Sequence, residues 1–129
     1  MLDELRQRVC AVNLALKRSG LVAQTWGNAS AIDRESGLVC IKPSGVAYDV
    51  LRPEHIVITG LSGTIVEGSL YPSVDLPSHL ALYKAFAEVG GVVHTHSHYA
   101  TCFAQMRREI PCLGTTHADY FNGNIPLVN

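Results

Sequence analysis

The sequence lacks the features that mark several classes of protein. Lysine and arginine number 10 against 11 aspartate and glutamate residues, so the net charge is -1 and no basic excess favours nucleic acid. No apolar run approaches the ~20 residues of a membrane span. The first residues include Asp3, Glu4, Arg6 and Arg8 and have no apolar core of the kind that a signal peptide needs. We therefore expect a cytoplasmic protein that binds neither nucleic acid nor a membrane.

Cysteine is too sparse for a disulfide framework or a zinc finger. Cys10, Cys40, Cys102 and Cys112 lie far apart, and no Cys-x-x-Cys pair occurs. This spacing predicts reduced, mostly buried thiols. The composition is that of a globular protein, with 47% hydrophobic and 16% charged residues. The length of 129 residues predicts one domain over 1–129.

Hydrophobic periodicity predicts an α/β pattern. An apolar stripe with spacings of three and four predicts a first helix that stops near Ser19-Gly20. The stripe consists of Leu2, Leu5, Val9, Val12 and Leu16. Two hairpins follow, over about 28–41 and 55–67, and amphipathic helices are predicted before Gly90-Gly91 and over 99–106.

Three histidines alternate directly after a predicted strand. Val92 and Val93 are β-branched and predict a short buried strand, which we extend to His96. Since strands have period two, His94, His96 and His98 would share one face. Two such imidazoles suit a metal ion, and zinc accepts them readily. The alternative is polar residues at a strand end that bond to backbone or water.

Asp75 lies just before a predicted helix. Pro77 suits the first turn of that helix, so Asp75 could be its N-cap, as could Ser78. In the alternative interpretation the Asp75 carboxylate is a third metal ligand or a base beside the metal. The backbone at Ser73-Val74 could offer N–H groups to a phosphate.

Two turns and one polar segment are further candidates for ligand contact. Lys42-Pro43-Ser44-Gly45 follows a strand, and such a turn can gather N–H donors and a cation around an anion, although taken by itself this tetrapeptide is more often an ordinary turn with a solvated lysine. Gly27-Asn28 is a weaker signal of the same kind. The segment 115–121 is dense in hydroxyl, imidazole and carboxylate groups and could serve proton transfer, or form a polar surface loop.

Five segments together resemble the class II aldolase/epimerase family, and they occur in the family's order across nearly the whole chain. They are Thr25–Asn28, Lys42–Gly45, Pro72–Asp75, His94–Ser97 and Gly114–Phe121. The resemblance implies an α/β fold in three layers, with a central, largely antiparallel sheet flanked by helices. It also implies a homo-oligomer, a tetramer in full-length members, with sites at subunit interfaces.

The resemblance also implies roles for individual residues. Asp75, His94 and His96 would bind a divalent metal ion, Zn²⁺ or another such as Mn²⁺, and Asp119 would be a catalytic acid/base. Thr115 would contact the carbonyl end of a sugar phosphate. The residues that would hold this substrate, chiefly by its phosphate, are Gly27, Asn28, Lys42, Ser44, Gly45, Ser73 and Val74.

Within the family, Asp75 and the run Thr116–Phe121 favour the epimerases, since the aldolases typically have Glu at the position of Asp75. The implied reaction converts L-ribulose 5-phosphate to D-xylulose 5-phosphate. C4 carries no acidic proton because the carbonyl is at C2, so inversion would need retro-aldol cleavage of C3–C4 and re-addition. The alternatives are a sugar-phosphate aldolase of the L-fuculose-phosphate type and a non-catalytic, adducin-like assembly domain.

The sequence departs from the family in three places. Family members continue well beyond Asn129 with a third histidine ligand, further strands and a catalytic tyrosine. We therefore expect this chain to be the N-terminal part of a longer member, to bind metal weakly and to lack turnover. Val74 replaces a serine and predicts looser phosphate binding, and His98 stands where many members have arginine.

Overall fold

The computed structural model describes residues 2–128, and the chain divides into two compact units, residues 1–95 and 96–129. The first unit begins with helix α1 and contains a five-stranded sheet and helix α2. Its elements are α1 (Leu2–Arg18), β1 (Asn28–Asp33), β2 (Leu38–Ile41), β3 (Val57–Gly60), β4 (Ile65–Glu67), α2 (Leu76–Ala85) and β5 (Gly91–His94). Two short 3₁₀ turns, Tyr48–Val50 and Pro53–His55, lie between β2 and β3.

Every strand pair of the sheet is antiparallel, and the strand order is β4-β3-β2-β1-β5. Strands β1 and β2 form one hairpin and β3 and β4 form another, and β2 pairs with β3 across a longer connection that contains the two 3₁₀ turns. Strand β5, which follows α2 in the chain, pairs with β1. In this pairing Asn28 lies opposite His94 and Ser30 lies opposite Val92. Because paired residues project from the same face of a sheet, Asn28 and His94 share a face.

The first unit has three layers because both faces of the sheet are covered. Alternate residues of each strand face opposite sides, so Cys40 packs with α1, whereas Val39 and Ile41 pack with α2. The α1 side includes Val9, Cys10, Leu16, Ala29, Cys40 and Ile58, and the α2 side includes Ile32, Val39, Val57, Leu76, Leu80 and Tyr83. This arrangement confirms the predicted α/β class with an antiparallel sheet flanked by helices.

The second unit contains α3 (His98–Gln105) and α4 (Thr115–Phe121). A two-residue bridge closes it, since the backbone N–H groups of Ile110 and Ile125 each donate to the other residue's carbonyl, at 3.1 and 3.0 Å. The segment 115–121, for which a surface loop was one interpretation, forms helix α4. Within residues 2–128 no helix combines the length and the apolar character needed to cross a bilayer.

Two expectations need correction. Strand β5 ends at His94 and α3 begins at His98, so His96 is not the next residue on a strand face and strand alternation does not place it. The four cysteines are free, as expected, but only Cys10 and Cys40 are buried. Cys102 is exposed and Cys112 is partly exposed in the second unit, whereas Cys10 in α1 and Cys40 in β2 pack in the core between α1 and the sheet.

Candidate functional site

A cluster of polar side chains lies where β1 begins, on the face of the sheet that α2 covers. The Asn28 side chain is buried, and its Nδ2 donates to Asp75 Oδ2 at 2.7 Å and to Ser73 Oγ at 2.9 Å. The Ser73 hydroxyl also donates to Asp75 Oδ2, at 3.2 Å. Asp75 precedes α2 as its N-cap residue but makes no side-chain cap bond, so its carboxylate is held by Asn28 and Ser73.

His94 adds an imidazole to this cluster. Its Nε2 lies 4.0 Å from Asp75 Oδ2, and both side chains are about one-third exposed, at 38% and 31%. With metal bonds of ~2.1 Å, two ligand atoms of a tetrahedral ion lie ~3.4 Å apart and those of a linear one ~4.2 Å apart, so this pair is wider than a tetrahedral site. A nitrogen and a carboxylate oxygen are donors that zinc accepts. Asp75 and His94 are therefore candidates for two ligands of a divalent metal ion, and a tetrahedral site would require their two atoms to lie closer together than 4.0 Å.

The predicted phosphate turns lie next to each other. Ser73 N–H donates to Lys42 C=O at 3.1 Å, and Ser44 N–H donates to Tyr71 C=O at 2.9 Å. These bonds flank an antiparallel bridge between Pro43 and Pro72. The two segments, far apart in sequence, therefore run side by side and end at the Asp75 cluster.

Lys42 is buried rather than solvated, with only 2% of its surface exposed. Its Nζ makes two long hydrogen bonds of 3.4 Å, to Thr25 C=O and Pro43 C=O. Burial lowers the pKa of Lys42 because the charged amine loses hydration. Among residues 2–128 no carboxylate forms an ion pair with Lys42. A buried cation of this kind is well suited to an anionic ligand.

Gly27 brings the turn before Asn28 close to the end of β5. Its φ of +74° lies in the left-handed region, which L side chains rarely adopt. A Cβ at this position would lie 2.5 Å from Val22 Cγ1 and 2.9 Å from the His94 carbonyl oxygen. Glycine is therefore required here by both conformation and space. Gly45 has a similar φ of +70° but open space around it.

Asn13 is a supporting residue that sequence reasoning missed. Its side chain is fully buried, accepts from Ala29 N–H at 2.9 Å and donates to Ala29 C=O at 3.0 Å and to Val9 C=O at 2.8 Å. The β1–β2 register ends at the pair Ser30–Ile41, so Asn13 satisfies the backbone of Ala29 where β2 no longer pairs. This bond set fixes the start of β1, which carries Asn28.

His79, one helical turn after Asp75, was missed as well. Its Nδ1 lies 2.6 Å from Ser30 Oγ, which in turn lies 2.7 Å from the Tyr83 hydroxyl. Burial lowers the pKa of His79, and His94 adds to this effect while Asp75 opposes it. The sequence pattern that could have identified His79 is its i, i+4 spacing from Asp75, because this spacing places both residues on the helix face that meets the sheet.

Three of the remaining predicted site residues lie in the second unit. His96 is the first residue of this unit, and Thr115 and Asp119 lie exposed on α4. Val74, in the first unit, is 80% exposed beside the buried Ser73. No three His, Cys, Asp or Glu side chains lie together as a metal centre within residues 2–128. The cluster described above is therefore the part of the predicted site that the structure assembles.

The fold is that of class II aldolases. The family model "Class II Aldolase and Adducin N-terminal domain" matches residues 7–129, so the chain belongs to that family, as the sequence motifs predicted. Curated relatives named L-ribulose-5-phosphate 4-epimerase UlaF, from Salmonella paratyphi C and Salmonella choleraesuis, are each 55% identical over 125 residues. Each match covers 97% of this chain and 55% of the relative, so the chain spans just over half their length.

Solved structures agree with this assignment. An L-fuculose 1-phosphate aldolase superimposes with a TM-score of 0.80 at 31% identity, over 84% of this chain and 51% of the aldolase. The L-fuculose-1-phosphate aldolase from Thermus thermophilus superimposes with a TM-score of 0.77 at 27% identity, over 99% of this chain and 64% of the aldolase.

Proposed function

We propose that this chain carries the phosphate-binding and metal-binding residues of a metal-dependent L-ribulose-5-phosphate 4-epimerase. The identity of 55% to curated epimerases supports the reaction, and the family supports a sugar phosphate as ligand. Because the chain spans just over half of those relatives, the complete activity is part of the proposal. A homo-oligomer, a tetramer as in full-length members, and a cytoplasmic location also belong to it.

One observation carries this proposal. The side chain of Asn28 donates simultaneously to Asp75 and Ser73, and Asp75 lies 4.0 Å from His94. A proposed metal ligand pair is thus tied directly to a proposed phosphate-binding residue. An enzyme that cleaves a carbon–carbon bond in a sugar phosphate needs this proximity, since the phosphate anchors the fragment that must be turned over.

We assign the anion to the two adjacent turns. Lys42 would supply a positive charge, and the backbone N–H groups around Gly45 and Val74 would act as donors, with Ser44 and Ser73 adding hydroxyl groups. Gly27-Asn28 would close the site from the opposite side. Val74 keeps its backbone N–H group but contributes no hydroxyl.

We assign the metal to Asp75, His94 and His96, with Zn²⁺ or Mn²⁺ as the ion. His96 enters on sequence grounds alone. When bound, such an ion supplies Lewis-acid stabilisation of the negative charge that develops as the C3–C4 bond breaks. Asn28 and Ser73 hold the Asp75 carboxylate in place by donating to its Oδ2, which is the usual task of groups behind a metal ligand.

In the proposed reaction a base removes the C4 hydroxyl proton and the C3–C4 bond breaks. The bonding electrons remain on the C1–C3 fragment as an enediolate, and C4 and C5 become glycolaldehyde phosphate, which stays bound through its phosphate. Rotation of the aldehyde and attack of the enediolate C3 on its other face re-form the C3–C4 bond with C4 inverted. Asp119 would carry one of the two proton transfers, and Thr115 would contact the carbonyl end of the sugar. If Asp119→Asn retained the wild-type epimerase rate in a full-length relative, this assignment would be wrong.

Calorimetric titration with Zn²⁺ tests the metal site. We expect His94→Asn and Asp75→Asn to weaken binding at least about tenfold, because each removes a ligand. His55→Asn is the matched control, since the Nδ1 of His55 accepts from the Arg52 backbone at 3.2 Å and takes no part in the cluster. Equal Zn²⁺ affinity in all variants would exclude Asp75 and His94 as ligands.

Titration with L-ribulose 5-phosphate tests the substrate, and L-ribulose without its phosphate is the control ligand. We expect the phosphate to account for most of the affinity, and Lys42→Gln to remove most of the difference between the two ligands. Equal affinity for both sugars would overturn the proposed anion site. Conversion to D-xylulose 5-phosphate is followed in the same samples.

A sugar-phosphate aldolase is the second candidate, because the structural match to an L-fuculose 1-phosphate aldolase has a TM-score of 0.80. An aldolase releases its aldehyde product, whereas an epimerase retains it for re-addition. Trapping of free aldehyde during incubation with L-fuculose 1-phosphate and with L-ribulose 5-phosphate distinguishes the two. Release from the first substrate would favour the aldolase.

A further inference from the structure

Tyr48 lies between Lys42 and the turn Gly27-Asn28, which are both part of the proposed anion site. It is only 2% exposed, in the first 3₁₀ turn after β2. Its single hydroxyl proton is shared between Gly27 C=O at 2.8 Å and Trp26 C=O at 3.2 Å, with the shorter contact to Gly27. The hydroxyl therefore holds two carbonyl groups of the turn that leads directly into Asn28. Burial raises the pKa of Tyr48 to about 12, so the hydroxyl keeps the proton that it donates.

The ring of Tyr48 has a separate partner. Lys42 Nζ lies 4.8 Å from the centroid of the ring, which is within the range of a cation–π interaction. Within residues 2–128 the hydrogen bonds of this buried amine are the two long ones of 3.4 Å to backbone carbonyls. The ring face is thus a principal support for a cation that has no carboxylate in ion-pair range within residues 2–128.

We infer that Tyr48 is a positioning residue for the anion site, with its hydroxyl fixing the turn before Asn28 and its ring fixing the ammonium of Lys42. This inference rests on the proposed function, in which Asn28 and Lys42 receive the phosphate of the substrate. The Tyr48 side chain then fixes the distance between Asn28 and the Lys42 ammonium before the phosphate binds. Preorganisation of this kind raises affinity because less ordering is needed on binding.

The two contacts can be removed separately. Tyr48→Phe deletes the hydroxyl and keeps the ring, whereas Tyr48→Leu deletes both. Tyr83→Phe is the matched control, because Tyr83 is 1% exposed and its hydroxyl is also hydrogen-bonded, to Ser30 Oγ at 2.7 Å. Tyr83→Phe therefore also removes a buried, hydrogen-bonded hydroxyl, but one that contacts neither Lys42 nor Gly27. Circular dichroism and thermal melting establish that each variant is folded.

NMR of lysine labelled with ¹³C at the ε position reports the ring contact. The chain has only three lysines, and Lys17 and Lys84 are exposed and serve as internal references. We expect the Lys42 signal to be displaced from the references by the aromatic ring, and to stay displaced in Tyr48→Phe and Tyr83→Phe. In Tyr48→Leu the Lys42 signal should move towards the reference positions. A Lys42 signal unaffected by Tyr48→Leu would overturn the role of the ring.

Titration with inorganic phosphate, followed at the Lys42 signal, tests the consequence for binding. We expect Tyr48→Phe to weaken phosphate binding about fivefold and Tyr48→Leu more than about tenfold, with Tyr83→Phe close to the wild type. If the wild-type chain bound phosphate and Tyr48→Phe bound it equally well, the positioning role alone would be overturned. If the wild-type chain bound no phosphate, the proposed anion site would fail and this inference with it.

Discussion

Substitution of Gly27 by alanine tests the close approach between the turn before β1 and the end of β5. Gly27 and Gly45 both have φ near +70°, at +74° and +70°, so alanine at either position pays a backbone strain of about 1 kcal/mol. At Gly27 the new Cβ would also lie 2.5 Å from Val22 Cγ1 and 2.9 Å from the His94 carbonyl oxygen. Overpacking of this kind costs about 1–3 kcal/mol more.

We therefore expect Gly27→Ala to lower the free energy of unfolding by about 3 kcal/mol and Gly45→Ala by about 1 kcal/mol. Urea denaturation followed by circular dichroism measures both values. Since the backbone of His94 must move to accommodate the methyl group, Gly27→Ala should also weaken Zn²⁺ binding. Equal losses of stability in the two variants would refute the reasoning, because only the contact with Val22 and His94 distinguishes the two sites.

Three further predictions concern buried groups. Asn13→Ala should cost about 2–3 kcal/mol in urea denaturation because it leaves the Ala29 backbone unsatisfied, whereas the exposed Asn124→Ala should cost under about 0.5 kcal/mol; similar losses would contradict the bonding described. Lys42→Met should raise the free energy of unfolding by about 1 kcal/mol near pH 7, because the native state then no longer buries an ammonium. Because burial lowers the pKa of Lys42 in the native state, the charged amine destabilises the wild type at lower pH, and this destabilisation vanishes above about pH 10.5, where the unfolded lysine is also neutral. If Lys42→Met were still more stable than the wild type above that pH, burial of the charge would not be the cause. Cys102 should react with a thiol reagent in the native protein, whereas Cys40, whose pKa burial raises to about 11, should react only on unfolding; equal native rates would contradict its burial.

The elements that sequence patterns predicted best are those whose signal is local. The 3-4 stripe of α1, the two hairpins and Pro77 at the start of α2 each depend on residues within a few positions of one another. The end of β5 was placed wrongly, because the polar alternation after His94 continues although α3 begins at His98. The end of a strand depends on where its neighbour stops pairing, and the neighbour of β5 is β1, which begins at Asn28 opposite His94.

The supporting residues of the site were not predictable in the same way. Asn13 bonds to a residue 16 positions away, and Tyr48 bonds to one 21 positions away. Neither side chain has a local pattern that marks it, because a buried asparagine or tyrosine acquires its role only when the fold supplies its partner. Lys42 was proposed as a ligand contact, but its burial under the Tyr48 ring required the structure.

The strand order has a consequence for how the protein reaches its native state. Each of the strands β1 to β4 pairs with its neighbour in sequence, whereas β5 pairs with β1 across more than fifty intervening residues, which places His94 opposite Asn28. Pairing between segments so far apart in the chain is expected to form more slowly than pairing between sequence neighbours. The two proposed metal ligands, Asp75 and His94, are therefore brought together by the least local pairing of the sheet.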